Sequence, residues 1–383
     1  MPALSFKEVG VGFDMFGCPN HCRHCGLGEM PNKGIGEREV RRITGLFRRF
    51  TRDGQEAPLF EKLWVSPHVR EPDFPDNYRY LHELAAELSD GQPWRYELLS
   101  IWRLARDESY AEWARSVGPD TCQITFFGEE ATTDFFCDRK GAFRDSLTAT
   151  ERLLAAGMKP RWQIFANTRG IGEFDALLRC VDAMRLRQRV ETLGGEFDIF
   201  MHTPGPSGRA LYIEDLRPSA EDMRLVPQDL LESSRKHFGR EILWHSEGEL
   251  CEQILSREPW FGYGQEPGHM PWFLISSDFD VFFNAFGYDP WFCLGNIRSE
   301  PLAVILGRFE SNDTPGLRTT YNVPPQELVR NHGRLDGRRV YADANDLLAL
   351  YVAKHCGCPT PKTWPPRGRC PDVRRDGTER ARP

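Results

Sequence analysis

Between residues 6 and 210, short apolar runs of strand character alternate with longer segments that carry helical periodicity. That order is expected of repeated βα units with parallel strands. Six strands are predicted: Val9–Met15, Lys62–Ser66, Tyr96–Trp102, Cys122–Phe127, Arg161–Asn167 and Phe197–His202. Helices are predicted over Gly36–Arg52, Tyr78–Ser89, Ser109–Val117, Phe143–Ala156 and Gly172–Thr192, and Gly157 suits the C-terminal stop of the fourth. The fold class is therefore α/β, a partial (β/α)6 TIM-like barrel followed by a C-terminal α+β extension.

After His202 the stretch TPGPSGRAL is a turn-rich exit, and the alternation stops. The expected division is a barrel over residues 1–210, an extension over 211–355, and a Pro/Arg/Gly-rich tail over 356–383 that reads as disordered. In the extension, residues 219–256 look helical, Phe273–Phe286 has strand composition around Asp278 and Asp280, and a last helix covers Ala344–Lys354.

Strand alternation sorts the side chains further. Gln123, Thr125 and Phe127 share one face, as do Arg161, Gln163 and Asn167, and Asp198, Phe200 and His202. A polar barrel interior is the expectation, with Trp162, Ile164 and Ala166 packed under helices. In the reversed arrangement the polar residues would meet helices or solvent. His202, a single histidine near a strand end, is read as structural.

Composition narrows the class. The chain has 383 residues, 40% hydrophobic and 27% charged, in line with an ordinary globular protein. No segment approaches a membrane-spanning apolar run, and the first residues lack the features of a secretory signal, so a reducing cytoplasm is the expected compartment. The formal net charge of −7 argues against nucleic acid as a partner. Arg41, Arg42, Arg48 and Arg49 lie on an amphipathic helix and the basic run from Arg367 to Arg382 lies in the tail, so both are read as solvated charge.

Eleven cysteines is an odd count, and three of them crowd into GCPNHCRHCGLG directly after the first strand. That is a poor disulfide framework and a good metal-ligand pattern. Cys18, Cys22 and Cys25 follow C-x3-C-x2-C, and thiolates so spaced can turn toward a common centre, where soft sulfur favours iron–sulfur clusters, zinc or copper(I). Zinc would need a fourth ligand, for which His21 and His24 are near enough, making a structural site in a binding or regulatory protein the alternative reading. An iron–sulfur cube on three cysteines instead leaves one iron open to a small molecule.

The motif resembles the signature of the radical S-adenosylmethionine superfamily, C-x3-C-x-aromatic-C after the first strand of a βα array, with His24 in the aromatic position. The resemblance implies a [4Fe–4S] cluster whose open iron binds S-adenosylmethionine. One electron then cleaves the cofactor, and the 5′-deoxyadenosyl radical abstracts hydrogen from a substrate. It also implies a reductant such as flavodoxin or ferredoxin, and a small-molecule or peptide substrate. No extra domain is expected ahead of the cluster.

Downstream stretches extend the resemblance. Where the superfamily carries Gly-Gly-Glu-Pro after the second strand, this chain has Val69-Arg70-Glu71-Pro72, so Glu71 fits as a cofactor ligand and both glycines are missing. In QITFFGEEATTDFFCDRKGAF, Thr125 matches a ribose- or carboxylate-binding serine, Asp134 an acidic position, and Arg139 the arginine that meets the cofactor carboxylate, with Lys140 as the alternative. Asn167 completes the cofactor-binding set. Cys122, Cys137 and Cys180 are read as small apolar residues.

The stretch FLISSDFDVFFNAFGYDPWFCLGNIRSEPL resembles the opening of the SPASM or twitch extensions. Leu294-Gly295-Asn296-Ile297 matches, while Asn284 stands at the hairpin cysteine position and the full auxiliary cysteine set is absent. Cys293, Cys356, Cys358 and Cys370 remain, and the expectation is an extension without an auxiliary cluster that closes the barrel mouth.

Overall fold

The computed structural model describes residues 6–14, 17–28, 32–52, 54–66, 70–91, 97–263, 270–283 and 287–358. Met15, Val69, Tyr96, Asn284 and Cys370 lie outside that set, as does the basic run from Arg367 to Arg382. No helix among the described residues is long and apolar enough to cross a membrane.

Ten strands among the described residues carry the architecture: β1 (Glu8–Phe13), β2 (Lys62–Ser66), β3 (Thr121–Phe126), β4 (Lys159–Phe165), β5 (Ile199–His202), β6 (His245–Ser246), β7 (Trp272–Ile275), β8 (Asp280–Phe283), β9 (Cys293–Asn296) and β10 (Val340–Tyr341). They form a five-stranded sheet in the order β2-β1-β7-β8-β9, a three-stranded sheet β3-β4-β5 and a small pair β10-β6. In the first sheet β1 runs parallel to both β2 and β7, and β8 and β9 continue antiparallel. The second sheet is wholly parallel.

The class is mixed α/β as expected, and no closed barrel is formed among the described residues. The break falls at the expected third strand. Ser100 caps a helical turn over Ile101–Leu104 by accepting from the Arg103 N–H, so the apolar run 98–102 turns where a strand was predicted. A trace of the strand survives, since the Gln123 N–H donates to the Glu97 carbonyl at 2.7 Å. The predicted helix Gly172–Thr192 is two helices, Phe174–Ala183 and Leu186–Glu191, divided at Arg185 with φ 53°. The stretch Phe273–Phe286 includes the antiparallel strands β7 and β8, which turn at Phe279 with φ 71°.

Among the described residues, the two largest apolar cores hold the sheets. Val9, Val11 and Phe13 of β1 are fully buried with Phe47 of the helix Glu37–Arg48, and the same core takes in Phe273, Phe309, Leu347 and Tyr351 from the C-terminal part of the chain. Gly10 is required in β1, because a Cβ there would meet the Trp272 indole of β7 at 2.3 Å. The second core lies under β3-β4-β5, where Ile124, Phe126, Trp162 and Ile164 have no exposed surface. Burial of each such side chain contributes about 1.5–3 kcal/mol. The Trp162 indole N–H also donates to the buried Thr150 hydroxyl at 3.1 Å.

The opposite face of that sheet is polar, as alternation predicted. Gln123 donates to Gln163 at 2.8 Å, Thr125 to Gln163 at 3.3 Å, and Arg161 to Gln123 at 3.1 Å.

Candidate metal and cofactor site

The cysteine loop leaves the C-terminal end of β1 and is fixed by its backbone. The Cys18 N–H donates to Asn32 Oδ1 and Asn32 Nδ2 returns a bond to the Cys18 carbonyl, both at 3.1 Å. The N–H groups of His21 and Arg23 donate to the carbonyls of Cys137 and Phe136, at the end of the helix Glu130–Cys137. The helix terminus, whose carbonyls lack intrahelical partners, is thereby satisfied by the loop. The Arg23 side chain closes this junction on Asp138 at 2.8 Å and on the Phe135 carbonyl at 2.9 Å. Arg139 reaches Asn20 Oδ1 at 2.5 Å while pairing with Asp145 at 2.6 Å.

From the far side the loop meets the segment after β5. The Arg209 N–H donates to the Cys25 carbonyl at 2.9 Å and Arg209 Nη1 to the His21 carbonyl at 2.7 Å. A Cβ on Gly208 would lie 2.5–2.7 Å from Gly28 N and the carbonyl oxygens of Cys25 and Gly26, and one on Gly287 would lie 2.6 Å from the Gly26 oxygen. The backbones approach that closely only because glycine stands at these positions.

The three thiols are held in a low-dielectric setting. Burial pushes Cys18 up, and Glu71 adds to it. For Cys22 the first cause of a raised pKa is a bond to the Cys137 thiol, then burial. Burial pushes Cys25 up to about 11. Without a metal all three are neutral thiols, and a metal would displace their protons on binding. The soft, clustered donor set fits an iron–sulfur cluster. Among the described residues, no three His, Cys, Asp or Glu side chains converge closely enough to hold a single metal ion.

His24 packs its ring 4.5 Å from Phe127 and 5.1 Å from Phe165, and burial lowers its pKa to about 3.

Glu71 stands beside the loop. The Cys18 thiol donates to Glu71 Oε2 at 3.8 Å and the Ser100 hydroxyl to Oε1 at 2.7 Å. Burial raises the Glu71 pKa, against the hydrogen bonds of Ser100 and the Trp102 N–H and the charge of Arg139. Arg70, where a glycine was expected, pairs with Asp14 at 2.9 Å, and the two side chains are 7% and 1% exposed. Burial nonetheless raises the Asp14 pKa.

Other expected ligands are placed differently. Asn167 is buried and gives both amide hydrogens to the carbonyls of Phe127 and Phe165, while its oxygen accepts from the Gly170 N–H; it staples a turn and has no hydrogen left for a cofactor. Asp134 accepts from the N–H groups of Gly141 and Phe143 at the start of the helix Ala142–Ala155. Thr125 remains on the polar face of β3, and Lys140 is exposed. Burial lowers the pKa of His202, which packs near Phe165 and Phe238. Ser100, Cys137 and Arg209 were not legible as site residues: Ser100 lay in a presumed strand, Cys137 lacks ligand spacing, and Arg209 lay in the presumed exit TPGPSGRAL.

No protein-family model matches the sequence, and no curated protein matches it. Solved structures do. Native anSMEcpe with bound AdoMet (S-adenosylmethionine) superimposes with a TM-score of 0.50 at 12% identity, covering 91% of this chain and 97% of that one. The same protein with AdoMet and the Cp18Cys peptide gives the same values. Streptococcus suis SuiB bound to the precursor peptide SuiA matches with a TM-score of 0.40 at 13% identity, over 86% of this chain and 67% of that one. The chain thus shares the fold of the AdoMet-bound protein anSMEcpe.

Proposed function

We propose that this chain is a radical S-adenosylmethionine enzyme acting on a peptide or small-molecule substrate. The observation that carries the reading is the C-x3-C-x2-C loop at the C-terminal end of β1, half-buried and braced on both sides, in a chain with the fold of an AdoMet-bound protein. In this reading the parallel strands β1-β2 and β3-β4-β5 belong to the arc of a partial (β/α)6 barrel, residues 211–355 form the SPASM/twitch-like extension, and the polar face of β3-β4-β5 faces the interior of that arc.

Cys18, Cys22 and Cys25 would hold a [4Fe–4S] cluster, which supplies the electron that cleaves S-adenosylmethionine to the hydrogen-abstracting 5′-deoxyadenosyl radical. Glu71, fixed by Ser100, would receive the cofactor's amino group through a charge-assisted bond. Arg139 and Thr125 are the remaining cofactor candidates, and His24 walls the site with Phe127 and Phe165. A protein of the flavodoxin or ferredoxin class would supply the electron. A peptide is the preferred substrate class, because anSMEcpe is found with a bound peptide on this fold.

The test is anaerobic reconstitution with iron and sulfide, followed by reduction in the presence of S-adenosylmethionine and assay for 5′-deoxyadenosine. Formation of the nucleoside by the wild type but not by Cys25→Ala is expected. Iron binding with no nucleoside under any reductant would leave a cluster protein without radical turnover, and stoichiometric zinc in place of iron would leave a structural metal site.

A further inference from the structure

We propose that Arg209 is a positioning residue for the cysteine loop, and that its buried positive charge sets how readily a cluster held there accepts an electron. The proposal rests on the reading of Cys18, Cys22 and Cys25 as cluster ligands.

Arg209 opens the segment that follows β5 and is remote in sequence from the loop it contacts. The residue is 7% exposed. The two bonds to the loop bracket Cys22: Nη1 holds the His21 carbonyl just before it, and the main-chain N–H holds the Cys25 carbonyl after it. One residue therefore fixes the distance across the ligand span. Its approach depends on Gly208, whose left-handed φ of 54° and missing side chain let the segment lie on Gly26 and Gly28. The Gly208 N–H is anchored in turn by Asp289 Oδ1 at 3.1 Å.

The charge is directed at the ligands. The guanidinium lies against the ligand loop itself, with Nη1 2.7 Å from the His21 carbonyl that immediately precedes Cys22. Arginine stays protonated when buried, so this charge is permanent.

A cluster on three thiolates carries net negative charge and gains one more negative charge on taking up an electron from its reductant. A buried cation nearby stabilises the more negative state, and electrostatic attraction is strong where water is excluded. Arg209 therefore raises the reduction potential of the loaded site and brings it within reach of a biological one-electron donor. No proton or further reactant is needed for this step.

The experiment compares the full chain with Arg209→Met and Arg209→Lys after anaerobic reconstitution. Iron per chain and the midpoint potential, from redox titration followed by electron paramagnetic resonance, are the readouts. The Met variant is expected to titrate at a lower potential than wild type, and the Lys variant to return toward wild type because it restores the charge. A Met variant with wild-type iron content and an unchanged midpoint overturns the proposal. If the Met variant fails to load, the Lys variant decides: a near-wild-type midpoint supports the charge, and one far below it overturns it. Loss of iron from both variants supports the loop-holding role and removes the charge role. Absence of iron from the wild type itself overturns the enzyme reading, and the Arg209 proposal with it.

Discussion

Cys18, Cys22 and Cys25 occupy one loop held by Asn32, by the end of the helix Glu130–Cys137, by Arg139 and by Arg209. The cysteines of the C-terminal part are dispersed instead. Cys293 packs with Leu274, Phe282 and Tyr288 and points its thiol toward the Gly295 carbonyl. Cys356 and Cys358 lie against the first core at the end of the helix Ala344–His355, with the Cys356 thiol 3.7 Å from the Thr319 hydroxyl. The difference is in the backbone. Around the first three, main-chain groups are fixed by residues from distant parts of the chain and the thiols meet polar partners, Glu71 and Cys137; around the others, the sulfur is itself the packing element. All six are half-buried, so what sets the proposed ligand set apart is the bracing of its loop, not its exposure.

Removing a ligand should break the comparison most sharply. Cys22→Ala is expected to lose the reconstituted cluster, taking iron from roughly four per chain to near zero. Its circular dichroism should match wild type, because Cys22 belongs to neither apolar core. Retention of the iron–sulfur absorption in that variant would falsify the ligand assignment.

Disturbing the support without touching a ligand should have the next largest effect. In Gly208→Ala the new methyl meets three loop backbone atoms at 2.5–2.7 Å in a left-handed conformation. Crowding and strain together cost at least about 2 kcal/mol. Chelator-induced loss of iron should accelerate correspondingly, and a variant indistinguishable from wild type in melting and chelator resistance would contradict the close packing described here.

Asp289 anchors this junction, and burial raises its pKa to about 8. Its folded pKa thus exceeds the unfolded value, so its contribution to stability is fully present below about pH 4 and is lost as pH rises toward 8, at up to about 1.4 kcal/mol per unit. Asp289→Asn keeps an oxygen for the Gly208 N–H and removes the titration. Thermal melts of the metal-free protein between pH 4 and 8 should show a flatter profile in the variant. An unchanged slope would mean that Asp289 is ionised in the folded chain.

The smallest effects belong to the dispersed cysteines. Cys293→Ala and Cys356→Ala should each cost about 1 kcal/mol of packing and leave the iron content of the reconstituted protein unchanged. Loss of a second set of irons from either variant would join these residues to a metal centre.

Much of this arrangement was legible in the residues, for physical reasons. The cysteine spacing is local, so the loop could be read directly. The alternation of Gln123, Thr125, Arg161 and Gln163 with Ile124, Phe126, Trp162 and Ile164 stated which face of the parallel sheet is polar. The run 98–102 was misread because a short apolar segment suits a strand and a helical turn equally, and Ser100 as a cap decided for the turn. The place of Asn167 was not legible because side-chain amides serve ligands and turns alike; its donors go to the carbonyls of Phe127 and Phe165. Arg209 was missed because its meaning lies in a contact with residues far away in the chain, which no spacing within TPGPSGRAL encodes. The parallel pairing of β1 with β7, which ties the C-terminal part to the cysteine sheet, is non-local in the same way.

The central claim is that the cysteine loop carries a cluster with one iron open to S-adenosylmethionine. Electron paramagnetic resonance of the anaerobically reconstituted and reduced protein, recorded before and after adding the cofactor, tests it most directly. The account predicts a single reduced cluster signal whose g values shift when S-adenosylmethionine is added and do not shift with methionine-free adenosine. A cluster signal that the cofactor leaves unaltered would contradict it.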